Sequence, residues 1–309
     1  MTTQPIFIVG VPRSGTTLMT TLLSAHTHIA ISPETHFLDE WLPRYQPWCI
    51  LQRTDHLQRF WQDWSSSARF SYFGVGPEQV QQRLQAQGNV SFKALFQSLL
   101  EAYAISQGKP RWGEKTPMHY RHLQTLLNWY PDARIIWMIR DPRAVVASLL
   151  PLPWASNSAR SNAQHWLRSL QLFERRWQQD DRVLLVRYED LVAIPEQTMI
   201  QVCDFIGEAY DPSMISNRSE QTSPIINRCS WAENHLKQAL QPISHHGLHK
   251  WKRRLNPRQV IDIELITHSK LSAYGYQLTV PPWILASWHW ASTTRSRLRL
   301  LNPHQISNT

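Results

Sequence analysis

The densest concentration of chemistry in the sequence follows directly on the apolar stretch Ile6-Phe7-Ile8-Val9: Gly10-Val11-Pro12-Arg13-Ser14-Gly15-Thr16-Thr17. Glycines that bracket a turn between a strand and a helix let backbone N–H groups converge on an anion, and the positive end of the helix dipole adds to the field. Arg13 supplies a side-chain cation beside the amides of Ser14, Gly15, Thr16 and Thr17. The spacing from Gly10 to Gly15 fits a nucleotide P-loop, but Thr16 stands where that motif carries its lysine. No acidic residue closes an apolar strand in the way a magnesium site requires, so a magnesium-dependent nucleotide hydrolase or kinase is disfavoured.

A second corner of the same kind lies at Arg134-Ile135-Ile136-Trp137-Met138-Ile139, followed by Arg140-Asp141-Pro142-Arg143. Asp141 is a good helix N-cap and Pro142 a natural first helical residue, which leaves Arg140 at the carboxyl end of a strand. Ser148, eight positions on, falls about two helical turns later and can face the same side. Ligands of open α/β sheets bind outside the carboxyl ends of the strands, so both corners can serve one molecule. Glu34, in Ser32-Pro33-Glu34-Thr35-His36, follows a third apolar stretch and can take a proton from an incoming hydroxyl; His36 competes for that role. Lys115 stands in Gly113-Glu114-Lys115-Thr116-Pro117 just before an expected helix.

The first loop, the Arg140/Ser148 pair and the string Arg187-Tyr188-Glu189-Asp190-Leu191 resemble the motifs of sulfotransferases that use 3′-phosphoadenosine 5′-phosphosulfate (PAPS). The wording is most similar to the tyrosylprotein branch and its bacterial relatives. The resemblance spans residues 5 to 277, with strong motifs at 10 to 17, 134 to 148 and 187 to 191. It implies that Arg13, Ser14, Gly15, Thr16 and Thr17 hold the 5′-phosphosulfate, that Arg140 and Ser148 grip the 3′-phosphate, and that Tyr188 lies near the adenine. It implies that Lys250, in His249-Lys250-Trp251-Lys252, closes over the nucleotide, with Asn227 to Ser230 in the same lid. Glu34 then becomes the base, and Arg13 and Lys115 stabilise charge on the sulfuryl oxygens and the departing phosphate. The implied activity is in-line transfer of a sulfuryl group from PAPS to an acceptor hydroxyl or amine, with no metal. One departure stands out: tyrosylprotein enzymes carry a further basic residue shortly after the helix serine, but four positions beyond Ser148 this chain has Leu152, so the 3′-phosphate contacts are either incomplete or rebuilt from Arg143 or Arg160.

These residues need a scaffold that brings strand ends together. Apolar runs at Ile6 to Val9, Ile29 to Ile31, Arg134 to Ile139 and Val183 to Val186 read as strands. Between them, Phe92, Leu95, Phe96, Leu99, Leu100 and Tyr103 recur at the spacing of one helical face, as do Leu123, Leu126 and Leu127, and then Trp166, Leu170, Phe173 and Trp177. The alternation predicts an α/β fold: a P-loop-like parallel sheet flanked by helices on both faces. Residues 1–280 are expected as one domain and 281–309 as a C-terminal tail. Trp41 to Gly76 lacks clean periodicity and is expected to be a cap insertion that, with Leu152 to Asn162, builds the acceptor pocket.

At 309 residues with 42% hydrophobic and 18% charged, the chain can bury a core and is not a disordered polyelectrolyte. Its net charge of +9 points to an anionic partner. Cys49, Cys203 and Cys229 are widely spaced and fit neither a disulfide framework nor a zinc site, which makes a reducing cytoplasm the expected compartment. His245, His246 and His249 lack partnering ligands for a metal. Two alternatives remain beside the sulfotransferase: a P-loop small-molecule kinase, or a binder of nucleic acid or anionic membrane. The basic residues are dispersed except near 250–258 and 293–299, so no nucleic acid is expected as partner. The tail's Trp283, Trp288 and Trp290 with Arg295, Arg297 and Arg299 could touch a membrane, but packing or disorder is the favoured reading. The expected acceptor is a small molecule, peptide, lipid or saccharide.

Overall fold

The computed structural model describes residues 4–45, 54–88, 91–216, 239–281 and 283. Asn227 to Ser230, Cys49, Cys229 and the tail residues beyond 283 lie outside the described residues. Five strands form one parallel sheet in the order β2-β3-β1-β4-β5. They are β1 (Ile6–Gly10), β2 (Ile29–Ser32), β3 (Arg111–Lys115), β4 (Arg134–Ile139) and β5 (Val183–Arg187). All four strands expected from the sequence are present, each within a residue of its expected ends.

Strands of a parallel sheet bury both faces and so lose the apolar/polar alternation, which is why β1 and β4 are continuously hydrophobic. Ile6, Ile8, Ile136 and Met138 point into one core together with Met19, Leu22 and Leu23 of α1 (Thr16–Ala25) and Met199, Val202, Cys203 and Ile206 of the helix Pro195–Ile206. Phe7 points the other way, stacked on Phe96 at 6.4 Å, and Trp137 meets Phe173 at 5.3 Å and Tyr120 at 5.4 Å. Helices therefore cover both faces. Among the described residues, no helix is long and apolar enough to cross a membrane.

The strand missing from the sequence reading is β3, Arg-Trp-Gly-Glu-Lys, whose five residues are all buried. Its charges are matched one by one: Arg111 donates to the carbonyls of Gln4 and Ile206 and pairs with Glu208 at 2.8 Å. Gly113 is required because a Cβ there would press on Ile31 and the Ile6 carbonyl. Lys115 is the last residue of this strand, opposite Ile8, and stands just before the helical turns Pro117–His122, as expected.

The segment expected as an unpatterned cap carries ordered helix: α2 (Thr54–Ser65), with further turns at Leu42–Tyr45 and Ala68–Ser71. Its aromatic residues form a core of their own. Phe60 and Trp64 pack on Phe37, and Phe37 reaches Phe96 of α3 (Phe92–Ser106) at 4.8 Å. What reads as aperiodic is an aromatic cluster shared among one twelve-residue helix and several short turns, which interrupt the periodicity of the segment as a whole.

The chain divides into two compact units, one of residues 1–140 with 171–247, the other of 141–170 with 248–309, a division that runs through the interval read as one domain. The second unit holds α4 (Pro142–Leu149), capped by Asp141 as expected, with a core of Val146, Ala163, Trp251, Leu255 and Ile263. Beside that core, Arg143 is buried between Asp141 and Glu264, each at 2.7 Å, and Glu264 also accepts the N–H groups of Thr279 and Val280.

Candidate active site

The first loop has the form an anion cradle needs. The Ser14 N–H donates to the Val11 carbonyl at 3.1 Å, and the backbone passes through positive φ at Gly10 (143°), Arg13 (76°) and Gly15 (95°). A Cβ at Gly10 would overlap the Met138 carbonyl, and one at Gly15 would overlap the Tyr188 ring. Only glycine fits either place. Gly15 caps α1 without a side-chain hydrogen bond, and the first turn holds no acidic residue, so its amides are left for a ligand. Ser14 is 1% exposed, yet its Oγ finds no hydrogen-bond partner among the described residues. An orphaned buried hydroxyl at a helix N-terminus, behind two glycines that keep the space clear, fits a phosphate group.

Arg140 follows β4 and ties this loop to the next strand end. Its guanidinium donates to the Arg13 carbonyl at 3.2 Å and to the Gly247 carbonyl at 3.3 Å, and lies 4.2 Å from the Tyr188 ring centroid. Arg13, Gly15, Arg140 and Tyr188 thus form one group. Ser148, on α4, and Lys250, exposed at the start of the short helix Trp251–Arg254, belong to the second unit. The suggestion that Arg143 replaces the basic residue missing at Leu152 is corrected: its guanidinium is enclosed by Asp141 and Glu264, and its hydrogen bonds serve the fold. Arg160 pairs with Asp262 at 2.6 Å in the same unit.

At the ends of β2 and β3, Glu34 and Lys115 are in direct ion contact through Oε1 and Nζ. The other carboxylate oxygen, Oε2, lies 3.0 Å from His36 Nε2. His36 Nδ1 in turn stands 3.1 Å from Asp39 Oδ2 and 3.1 Å from Glu40 Oε1. Behind them His119, 0% exposed, places Nε2 3.5 Å from Asp39 Oδ1 and Nδ1 3.0 Å from Glu114 Oε2. The Leu38 N–H also approaches Nε2 at 3.3 Å, a contact for the neutral ring, whereas the charged ring faces Asp39. Glu114 accepts the Thr35 hydroxyl at 2.9 Å and the hydroxyl of Thr116, and Thr116 Oγ1 accepts the His36 N–H at 3.2 Å.

Burial works against the Glu34 carboxylate, but Lys115 and His36 together hold its pKa well below the usual carboxylate range. Burial also opposes charge on His36, and its hydrogen bonds to Asp39 and Glu34 overcome this and raise it to about 9. His119 is raised to about 9 against the same penalty, by Glu114 and Asp39. A carboxylate therefore faces each imidazole, and His36, with carboxylates at both nitrogens, is held as the cation at neutral pH.

Glu34, Arg13 and Lys115 thus all lie at the carboxyl edge of the sheet, as expected, but Glu34 is already paired. Sequence reading missed Asp39, Glu114 and His119. The available signal was Gly113-Glu114-Lys115 itself: had those residues been read as a strand, alternation would have sent Glu114 and Lys115 to opposite faces, and Glu114 into the interior.

The chain belongs to the sulfotransferase family, whose profile matches residues 5–212. It is similar to a protein-tyrosine sulfotransferase of Drosophila melanogaster, 28% identical over 306 residues, covering 95% of this chain and 56% of that protein. Protein-tyrosine sulfotransferase 1 of Danio rerio is 27% identical over 279 residues, 88% of this chain and 72% of that one. The chain thus spans little more than half the length of the Drosophila relative. Among solved structures, the sulfotransferase domain from the Synechococcus PCC 7002 olefin synthase superposes with a TM-score of 0.62 at 23% identity, covering 90% of this chain and 96% of that one. The sulfotransferase domain from the curacin biosynthetic pathway gives 0.55 at 23% identity, with coverage of 89% and 98%. At such identities the likeness speaks to the fold.

Proposed function

We propose that the protein transfers a sulfuryl group from PAPS to an acceptor hydroxyl by in-line displacement. The observation that carries this reading is the juxtaposition of a lysine-free phosphate loop with a glutamate–lysine pair at the neighbouring strand ends. The amides of Gly15 to Thr17 and the Ser14 hydroxyl would hold the 5′-phosphate, with Arg140 and Tyr188 next to them and Ser148 and Lys250 assigned to the nucleotide by resemblance. The donor, when bound, supplies the sulfuryl group and an adenosine bisphosphate leaving group. Glu34 takes the acceptor's proton, while Arg13 and Lys115 balance negative charge that grows on the transferred and departing oxygens. Lys115 has to leave Glu34 Oε1 for both to work, and a second anion near its ammonium provides the pull.

The names of the relatives support a phenolic hydroxyl as first acceptor to try, within the wider set of peptide, small-molecule, lipid or saccharide acceptors. A kinase reading stays weaker because Thr16 replaces the P-loop lysine. The cytoplasm is the compartment we put forward; Cys203, the cysteine among the described residues, is a free buried thiol whose pKa burial pushes up to about 11.

Calorimetry with adenosine 3′,5′-bisphosphate and transfer of labelled sulfate from PAPS to a tyrosine peptide and to 4-nitrophenol test the reading. Glu34→Gln should bind the bisphosphate as the parent does and lose transfer by about 10²-fold or more. Substantial turnover in that variant rejects Glu34 as base, and a parent protein that binds no bisphosphate rejects the activity.

A further inference from the structure

Lys115, Glu34, His36 and Asp39 alternate cation and anion at the carboxyl edge of the sheet, and Asp39 Oδ1 lies 3.5 Å from His119, which pairs through Nδ1 with Glu114 in the interior. These last two residues are 0% exposed and touch no ligand surface. Burying two charges is costly unless each is matched, so the His119–Glu114 pair behind a reactive carboxylate calls for an explanation beyond stability. The backbone adds a second sign. His36 sits at φ 48°, a left-handed conformation that a non-glycine residue rarely adopts, and its N–H is held there by Thr116 Oγ1.

We propose that His36 is the positioning residue of this site: clamped between Asp39 and Glu34 and backed by His119 and Glu114, it pins Glu34 Oε2 and leaves Oε1, the oxygen shared with Lys115, to meet the acceptor. The inference deepens the sulfotransferase reading and rests on it. It also separates the two candidate bases. With Nε2 directed at Glu34 and Nδ1 at Asp39 and Glu40, both ring nitrogens face carboxylates and carry protons, so His36 has no lone pair to offer a hydroxyl. Glu34 keeps one oxygen for that purpose. The arrangement parallels the way a carboxylate fixes the tautomer and orientation of a metal-ligating histidine, where loss of the partner costs about 10–100-fold.

The groups facing His36 come from several elements. Glu34 lies beyond the end of β2, Asp39 and Glu40 lie on the turn Phe37–Trp41, Arg69 pairs with Glu40 at 3.2 Å from the turn Ala68–Ser71, and Lys115 acts through Glu34. Three carboxylates touch the ring itself, while Arg69 and Lys115 reach it only through Glu40 and Glu34, which leaves the balance in favour of the imidazolium. Its pKa, raised to about 9, agrees with this geometry.

The test combines an NMR titration of the His36 ring C–H, calorimetry with adenosine 3′,5′-bisphosphate, and transfer from PAPS to 4-nitrophenol across pH, for the parent, Asp39→Asn and His36→Gln. In the parent, His36 should titrate near pH 9 in the absence of any ligand, and in Asp39→Asn that midpoint should fall by about one unit or more. Asp39→Asn should lower kcat by about 10–100-fold, with KM for PAPS and bisphosphate affinity within about twofold, and should move the alkaline limb of the rate profile to lower pH. His36→Gln should lose that limb altogether. A His36 midpoint near 6.5 in the parent overturns the proposal. So does a variant whose kcat is unchanged, or falls equally at every pH. Should Asp39→Asn not fold, the parent titration and His36→Gln still decide. A parent that binds no bisphosphate and transfers nothing rejects the activity and the positioning role together; one that transfers while His36 titrates at its ordinary value rejects the positioning role alone.

Discussion

Position 15 joins two requirements in one residue. Its φ of 95° belongs to the left-handed side of the map, and the Tyr188 ring fills the volume that a Cβ would need. Alanine would have to shift either the loop, which carries the amides of the cradle, or the ring, over which Arg140 lies at 4.2 Å. Gly15→Ala is therefore expected to weaken adenosine 3′,5′-bisphosphate binding by at least about tenfold, since roughly 1.4 kcal/mol of strain suffices for that factor. Gly108 has a similar φ, 65°, but open space around it. Gly108→Ala thus serves as the control, losing some stability and leaving binding intact. Equal calorimetric affinities for the parent and Gly15→Ala would contradict the assignment of this loop.

At the scale of elements, α2 tests whether the region before the first long helix is a loose cover or part of the core. Trp64 is 0% exposed and meets Phe37 at 5.1 Å and Phe60 at 5.7 Å. Trp64→Ala is expected to destabilise the protein by about 3–5 kcal/mol, read from urea unfolding, as for other large aromatic truncations. A loss under about 1 kcal/mol would mean that this cluster is dispensable. The same cluster shows where sequence reading stops. Strands β1 and β4 were legible because four or five consecutive apolar residues shortly before a glycine loop or a capping aspartate have few other readings. β3 was not, because its side chains are charged and their partners, Gln4, Glu34 and Glu208, lie far away in the chain. The anion loop, Glu34, Lys115 and Arg140 were legible as residue types at strand ends. Asp39 and His119 became visible only once the fold brought a turn after β2 against the segment after β3.

For the whole molecule, the buried charges set a pH window. His36 and His119, raised from 6.5 to about 9, contribute stability that is fully present below about pH 6.5 and is lost as pH rises through about 9. Glu34, Asp39 and Glu114 are lowered, so their contribution is present above the ordinary carboxylate range and is lost as pH falls below it. The two conditions overlap between about pH 5 and 6.5, and the melting temperature is expected to peak there. The net charge of +9 acts in the opposite sense on the alkaline side, because self-repulsion relaxes toward the isoelectric point near 9.7. The decisive quantity is the difference between the parent and His36→Gln in scanning calorimetry. It should shrink from pH 6.5 to 9.5; a constant difference would argue against a charged His36.

The pairing of β3 has a further consequence, which is kinetic. A strand carrying Arg111, Glu114 and Lys115 gains little from joining the sheet until Glu208, Thr35, His119 and Glu34 are in place to receive those charges. β1 and β4, apolar and adjacent, can pair without it. The β2–β3 side of the sheet is then among the last parts to close, and the step that seats Lys115 beside Glu34 also completes the refolding of the surrounding core, so recovery of bisphosphate binding should lag behind the return of helical signal.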